Sequence, residues 1–369
     1  MIALGNPAAG STPFETLKEA WLYEQAQEQA VICNLCAHRC YIPAGRVGIC
    51  KVRENRAGRL YTLVYDRIIA LGIDPIEKKP LFHFLPSTRS YSIATVGCNF
   101  HCRFCQNWEI SQMPRDHQGV ILGHICSPQE IVREARDEGC ETIAYTYTEP
   151  TIFFELAHET ARLAAEAGLK NVFVSNGYMT AEALKTIQPY LHAVNIDLKG
   201  FDDKRHRRLC GAKLQPVLDS IRLIKKLGIW LEVTTLVIPG HNDSDSELRQ
   251  IALFLKDVGP EIPWHLSAFF PAYKMLEGAP TDRETLLRAW RIGKEAGLRY
   301  VYCGNLPGLA HEDTACFSCG QTLIERTGFY VRRNRLEHGC CPYCQTSIDG
   351  TWGNKNSIVT QTQANQEEL

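Results

Sequence analysis

Three cysteines fall within eight residues of the stretch GCNFHCRFCQNWE: Cys98, Cys102 and Cys105, spaced C-x3-C-x2-C. Thiolates are ligands for zinc and for iron–sulfur clusters. A structural zinc closes its shell with four protein ligands. Three cysteines on a four-iron cube instead leave one iron with an open position that can bind a small molecule. A zinc site that borrows a distant fourth ligand is the alternative. Gly97 gives the loop freedom to fold around a cube, and Phe104 is placed to shield such a group from water.

Two further groups of cysteines flank this loop. Cys33, Cys36, Cys40 and Cys50 read C-x2-C-x3-C-x9-C, with turn residues Pro43, Gly45 and Gly48 between them. Four thiolates suit zinc, a second iron–sulfur cluster, or neither, and His38 is a spare ligand. Such a module would cap the barrel described below, gate substrate or relay electrons. Cys316, Cys319, Cys341 and Cys344 read C-x2-C-x21-C-x2-C around a hairpin-like run, TLIERTGFYVRRNRLEHG. That is close to zinc-ribbon spacing, with rubredoxin-like iron as the rival and Cys340 competing with Cys341 as ligand. Arg332, Arg333 and Arg335 beside Phe329 and Tyr330 make a basic face. It is expected to be solvated; no nucleic-acid partner is expected, because the net charge is -1. Cys126, Cys140, Cys210 and Cys303 stand alone and are expected to be inert buried residues.

Positioning these groups is the task of the elements between them. From Tyr91, apolar β-branched runs (YSIATV, TIAYTY, NVFVS, AVNIDL, WLEVTTLVI, PWHLSAF, LRYVYC) alternate with helical segments such as SPQEIVREARDEG, where Pro follows a Ser cap. Alternation of this kind predicts an α/β fold with a parallel sheet, closed or nearly closed into a partial barrel. Chemistry then belongs at the C-terminal ends of the strands. No G-x-G-x-x-G follows the first strand, which argues against a doubly wound dinucleotide fold. The expected organisation is a cysteine-rich module at 1–85, the barrel core at 86–305, a ribbon-like module at 306–355 and a disordered tail at 356–369. FETLKEAWLYEQAQEQA is expected to be helical, and GRLYTLVYDRIIALGIDP to form short strands. The chain is 45% hydrophobic and 22% charged, ordinary for a globular protein. It has no apolar run long enough to span a membrane and no signal-like start. Sixteen cysteines fit a reducing cytoplasm, where thiols serve metals more often than disulfides.

C-x3-C-x2-C after the first strand of a partial (β/α)6 TIM-like barrel resembles the radical S-adenosylmethionine (SAM) superfamily. The resemblance implies a [4Fe-4S] cluster whose fourth iron is chelated by the amino and carboxylate groups of SAM. It implies reductive cleavage of the sulfonium to methionine and a 5′-deoxyadenosyl radical, which abstracts hydrogen from a substrate. Glu149, in YTYTEP, resembles the position that binds the SAM amino group, with the two glycines usual before it replaced; a helix N-terminal carboxylate is the alternative. Ser175 and Asn176, in FVSNGYMT, stand where a carboxylate or ribose would be bound, unless they form an ordinary Asn-Gly turn. Asp197 and Lys199, two apart in NIDLKG, face one side of their strand and resemble a SAM-contacting element of glycyl-radical activating enzymes; a structural ion pair is the alternative. His241 and Asn242, in VIPGHND, would border the adenosine or merely cap a turn. His265 faces the barrel or is a satisfied core histidine.

DPIEKKPLFHFLP, then TVGCNFHCRFCQNWEISQ, with both flanking cysteine modules, is similar to AmmeMemoRadiSam-system radical SAM enzymes, which are related to pyruvate formate-lyase activating enzyme. This covers roughly residues 30 to 355. Gln106 after the third cysteine, and cysteines that flank the barrel instead of forming a ferredoxin-like insert, tell against a simple glycyl-radical activase. The resemblance implies a flavodoxin- or ferredoxin-type reductant and leans toward a protein or peptide substrate, with a small molecule open. A reading of a different class is a non-enzymatic, metal-stabilised module that binds RNA or a partner protein.

Overall fold

The computed structural model describes residues 2–3, 17–306, 308–309 and 311–353; the tail expected at 356–369 lies outside the described residues. One nine-stranded sheet dominates. Its strands are an edge pair Ile2–Ala3, then β1 (Ala70–Pro75), β2 (Arg89–Ala94), β3 (Thr142–Tyr145), β4 (Lys170–Ser175), β5 (Ala193–Asp197), β6 (Trp230–Val237), β7 (Trp264–Ala268) and β8 (Val301–Gly304). From β2 to β8 every neighbouring pair is parallel. β1 runs antiparallel to β2 and to Ile2–Ala3. The sheet therefore begins upstream of the boundary expected at residue 86.

Besides two four-residue helical turns at Trp108–Ser111 and Met113–Asp116, the helices are α1 (Pro128–Asp137), α2 (Phe154–Glu166), α3 (Ala181–Ile187), α4 (Asp203–Cys210), α5 (Gln215–Lys226), α6 (Asp245–Val258) and α7 (Arg283–Ala296). They make six β/α units with β8 as a closing seventh strand. Helices cover the outer face and side chains fill the inner one. This is why the strands read as near-continuous apolar runs and not as alternations. The helix starts follow local chemistry. Ser127 and Glu130 form a reciprocal capping box at α1, and Thr180, Asp202, Ser244 and Asp282 cap α3, α4, α6 and α7. α4 is a helix the sequence reading passed over, although Asp202 at its start and Gly211 at its end mark it.

The helix expected across FETLKEAWLYEQAQEQA does not form among its described residues. Lys18–Glu19 pairs with Arg59–Thr62, and Tyr23–Gln25 pairs with Val31–Cys33. Leu22 and Glu28 take positive φ. Helix propensity is a weak prior. This segment lacks an apolar stripe of helical period, and pairing with the cysteine module prevails.

The two flanking modules sit at opposite ends of the barrel. The N-terminal one docks at the C-terminal ends of the strands: Ala37 N–H donates to Tyr178 O (2.9 Å), and Thr180 N–H to Leu35 O (3.2 Å). The C-terminal one, built on strands Thr314–Ala315, Thr322–Thr327 and Tyr330–Asn334, docks at the other end. There Arg326 donates to Phe82 O (2.8 Å), His83 meets Asp349 O (2.6 Å), and Thr351 N–H donates to His83 O (2.8 Å). Glu232, at the start of β6, accepts from the backbone N–H groups of Phe82 and His83 and meets His265 Nε2 at 2.6 Å. His265 is thus a core histidine at the floor of the barrel, remote from the strand C-termini.

Candidate functional site at the barrel mouth

The Cys98–Cys105 loop leaves β2 and is clamped from three sides. His101 and Arg103 donate backbone N–H groups to Cys210 O (3.0 Å) and Leu209 O (2.9 Å), at the end of α4. His38 Nε2 lies 2.8 Å from Asn99 O, tying the loop to the N-terminal module. Gln112 donates to Phe100 O (3.2 Å). Gly211 is needed at this junction: at φ 75° it lies in the left-handed region, and a Cβ there would stand 1.8 Å from the His101 ring. Phe104 is buried in the main core.

Cys98 receives the Phe100 N–H at 3.4 Å, and Cys105 Sγ lies 3.2 Å from Ser111 Oγ. Burial, the Glu149 carboxylate and the neighbouring thiols push the Cys98 thiol well above its usual range. Such a site suits a bound cation, which would draw off the protons. Cys210 is the unexpected member. It sits in hydrogen-bond contact with Cys102, so it is a direct neighbour of a prospective ligand and not the inert hydrophobe expected. A single cysteine more than a hundred residues along the chain from the motif carries no sequence signal of this contact.

Glu149 follows β3 and is almost wholly buried. Its Oε1 accepts from Thr151 N–H (3.1 Å), the Thr151 hydroxyl and the Ser175 hydroxyl (2.9 Å), and its Oε2 accepts from Asn176 N–H (2.8 Å). It therefore does cap the helical turn at Pro150–Phe153. Burial raises its pKa against these four donors. Oε2 takes one donor and retains capacity for another. Asn176 donates to Asn99 Oδ1 (2.7 Å), within reach of Cys98 Sγ at 3.8 Å. Asn99 itself was missed in the sequence: its Nδ2 is buried beside Cys98 without a partner.

Asp197 and Lys199 form an ion pair of 2.9 Å at the end of β5. Burial opposes the Lys199 charge, but Asp197 and the Cys102 and Cys210 thiols outweigh it and hold its pKa above the ordinary value. His241 lines an open basic cavity with Arg103, Arg208 and Lys274. The Asn242 amide donates to Lys199 O (3.2 Å) and Leu236 O (2.8 Å) and accepts from Ile238 N–H (2.6 Å). Its side chain holds the turn after β6 and faces backbone, which is the turn-capping alternative.

The C-terminal cysteines differ in spacing from the loop. Among the described residues, Cys316, Cys319, Cys341 and Cys344 alone form a set of metal-ligating side chains whose donor atoms all lie within 4.8 Å of one another. Cys316–Cys344 and Cys319–Cys341 are 3.6 and 3.7 Å apart, close to the ~3.8 Å edges of a tetrahedron with zinc–sulfur bonds of about 2.3 Å. Cys341, not Cys340, belongs to the set. Cys340 is instead engaged through its backbone with Glu337 and Ser347. On the basic hairpin face, Arg335 is paired with Glu325 at 2.5 Å.

The model of the radical SAM superfamily matches residues 92–255, from β2 into α6. An uncharacterized protein of Methanocaldococcus jannaschii is 45% identical over 336 residues, which cover 90% of this chain and 99% of that one. The chain belongs to the radical SAM superfamily. A putative glycyl-radical enzyme activating enzyme of the same organism is 27% identical over 214 residues, covering 57% of this chain and 77% of its own. A domain of pyruvate-formate lyase-activating enzyme from Bacteroides vulgatus superposes with a TM-score of 0.37 at 17% identity, over 44% of this chain and 97% of that domain. Radical SAM proteins use a [4Fe-4S] cluster and SAM, and these are the cofactors here. The donor set fits them: three cysteines on one loop, set wider than the zinc-type tetrahedron, beside the unpartnered Asn99 amide. No helix among the described residues is long and apolar enough to cross a membrane.

Proposed function

We propose that the protein is a radical SAM enzyme that abstracts hydrogen from a protein or peptide, reduced by a flavodoxin- or ferredoxin-type donor in the cytoplasm. The observation that carries the reading is convergence. Cys98, Cys102 and Cys105, Glu149, Ser175, Asn176 and the Asp197–Lys199 pair, from four different β/α loops, meet at one mouth of the barrel. When bound, the cluster and SAM supply one-electron cleavage of the sulfonium and an adenosyl radical.

In this reading the chain's own residues bind and exclude. Cys98, Cys102 and Cys105 would hold the cluster. Glu149 Oε2 would accept from the SAM ammonium, a charge-assisted hydrogen bond strengthened by burial. Ser175 and the Asn176 N–H fix that carboxylate in place. Lys199 would offer its charge to the SAM carboxylate, and Asp197 orients the lysine. Phe104 and the N-terminal module keep water from the mouth. Support for a macromolecular substrate comes from relatives named as activating enzymes.

Anaerobic reconstitution tests this. The reduced wild type should convert SAM to 5′-deoxyadenosine, and Cys102→Ala should abolish the conversion. If the variant turned SAM over at the wild-type rate, the reading would fall. Deuterium carried into 5′-deoxyadenosine from a labelled cell extract would then identify the substrate, and label arriving only from small molecules would remove the protein-substrate part.

A further inference from the structure

The second cysteine group poses a choice between zinc and iron that spacing in the sequence leaves open. Cys33, Cys36, Cys40 and Cys50 line a single cavity, together with Leu35, Ile42 and Ile152. Thr151 and Ile152, from the turn after Glu149, complete its lining. Leu35, Ile42 and Ile152 are buried, while Ile49 at the rim is exposed.

Two observations bear on what it takes. The first is the spread of the sulfurs. Among the described residues, no three of these four thiols come within 4.8 Å of one another, whereas the C-terminal four all do. One ion needs its sulfurs about 3.8 Å apart. Thiolates on different irons of a cluster stand farther apart, because the iron–iron separation adds to the two bonds. The barrel-mouth cysteines likewise form no set within 4.8 Å.

The second is Arg53. It lines the same cavity and is 2% exposed. Its Nη2 binds both oxygens of Glu155, but Nε and Nη1 are buried with no partner. An unsatisfied buried guanidinium donor costs more than a neutral one, and buried donors are almost always matched. Inorganic sulfide and cysteinyl sulfur are acceptors for such N–H groups, and hydrogen bonds to sulfur are a known means of tuning clusters.

We propose that Cys33, Cys36, Cys40 and Cys50 ligate an iron–sulfur cluster, with the free Arg53 N–H groups donating to its sulfur atoms. The site adjoins the barrel-mouth loop. A Cβ on Gly97 would stand 3.3 Å from Cys50 O, and His38, on the cavity wall, reaches Asn99 O. The zinc-type site is left to the other end of the molecule.

The test is metal and acid-labile sulfide content of anaerobically prepared full-length protein, reconstituted with iron, sulfide and zinc together, with Mössbauer spectra of 57Fe-loaded samples. The triple variant Cys98→Ala/Cys102→Ala/Cys105→Ala removes the mouth site, so its outcome is independent of the function proposed above. It should retain about two to four irons with matching sulfide, an iron–sulfur Mössbauer signature and about one zinc. Loss of all iron from this variant, whether replaced by a second zinc or by nothing, overturns the proposal. Should the triple variant fail to fold, the wild type decides. Iron clearly above the ~four of the mouth site, with one zinc, supports the assignment, and no more than about four irons overturns it.

Discussion

At the scale of residues, the site is governed by how few polar partners each buried group has. Glu149 has four donors within the protein, three of them on Oε1. The remaining capacity is on Oε2, which marks the side where a cationic ligand would sit. Glu149→Gln would keep the size and lose the charge. A hydrogen bond to a charged group is worth about 1.5–3 kcal/mol. The expected result is a rise of about tenfold or more in KM for SAM, with a smaller change in kcat, measured as 5′-deoxyadenosine formation. Cys210 acts on the loop in another way. Once Cys102 is a thiolate ligand, the Cys210 S–H is the donor in their contact. A donor to a ligand sulfur favours the more negative, reduced cluster. Cys210→Ala should therefore lower the midpoint potential in an EPR-monitored titration while iron content stays near wild type. An unchanged potential would show that the contact does not persist in the loaded protein.

At the scale of elements, the loop is positioned by α4 and the floor by the 82–85 linker. α4 carries no catalytic group, yet its last carbonyls accept the loop's N–H groups, and Gly211 lets His101 pass. At the floor, His83 stands between Tyr302 OH (2.6 Å) and Asp349 O (2.6 Å), so it bonds the barrel to the ribbon module. Burial, opposed by Glu232 and aided by Arg326 and His265, lowers its pKa to about 4. The folded state thus binds fewer protons than the unfolded chain between pH ~6.5 and 4. The stability due to neutral His83 is complete above about 6.5 and lost as pH falls through that window, by at most about 3 kcal/mol. Urea unfolding of wild type and His83→Gln at pH 7 and pH 4.5 should show a smaller acid loss in the variant. Equal losses would assign the effect to other groups.

At the scale of the whole molecule, the two cysteine modules do different things because they dock at different ends. The N-terminal one closes on the mouth, where α3 and the Cys98 loop meet it. The C-terminal one grips the floor through Arg326, whose guanidinium also lies 4.3 Å over the Phe82 ring. The ribbon's buried residues share one small core with Phe82, Tyr300 and Tyr302 of the barrel floor, and a module that small depends on its metal. Zinc removal should expose residues 311–353 to protease while 5′-deoxyadenosine formation persists at first, read by limited proteolysis alongside the turnover assay. Simultaneous loss of both would mean that the floor module also holds the mouth together.

Read alone, the sequence determined the chemistry-bearing loop, the alternation of strands and helices, and the C-terminal cysteine ribbon, because each is written in local spacing. Cys98, Cys102 and Cys105 lie on one loop, and strand and helix periods and caps span a few residues each. Tertiary structure alone decided what those residues meet. It brought Cys210 to Cys102, set Asn99 between Cys98 and Asn176, turned Asn242 and His265 toward structural partners, and chose Cys341 over Cys340. It also paired the residues from Lys18 to Gln25 into strands where composition favoured a helix. These outcomes depend on contacts between segments far apart in the chain. Their energies come from burial and from matching buried donors with acceptors, which no local pattern records.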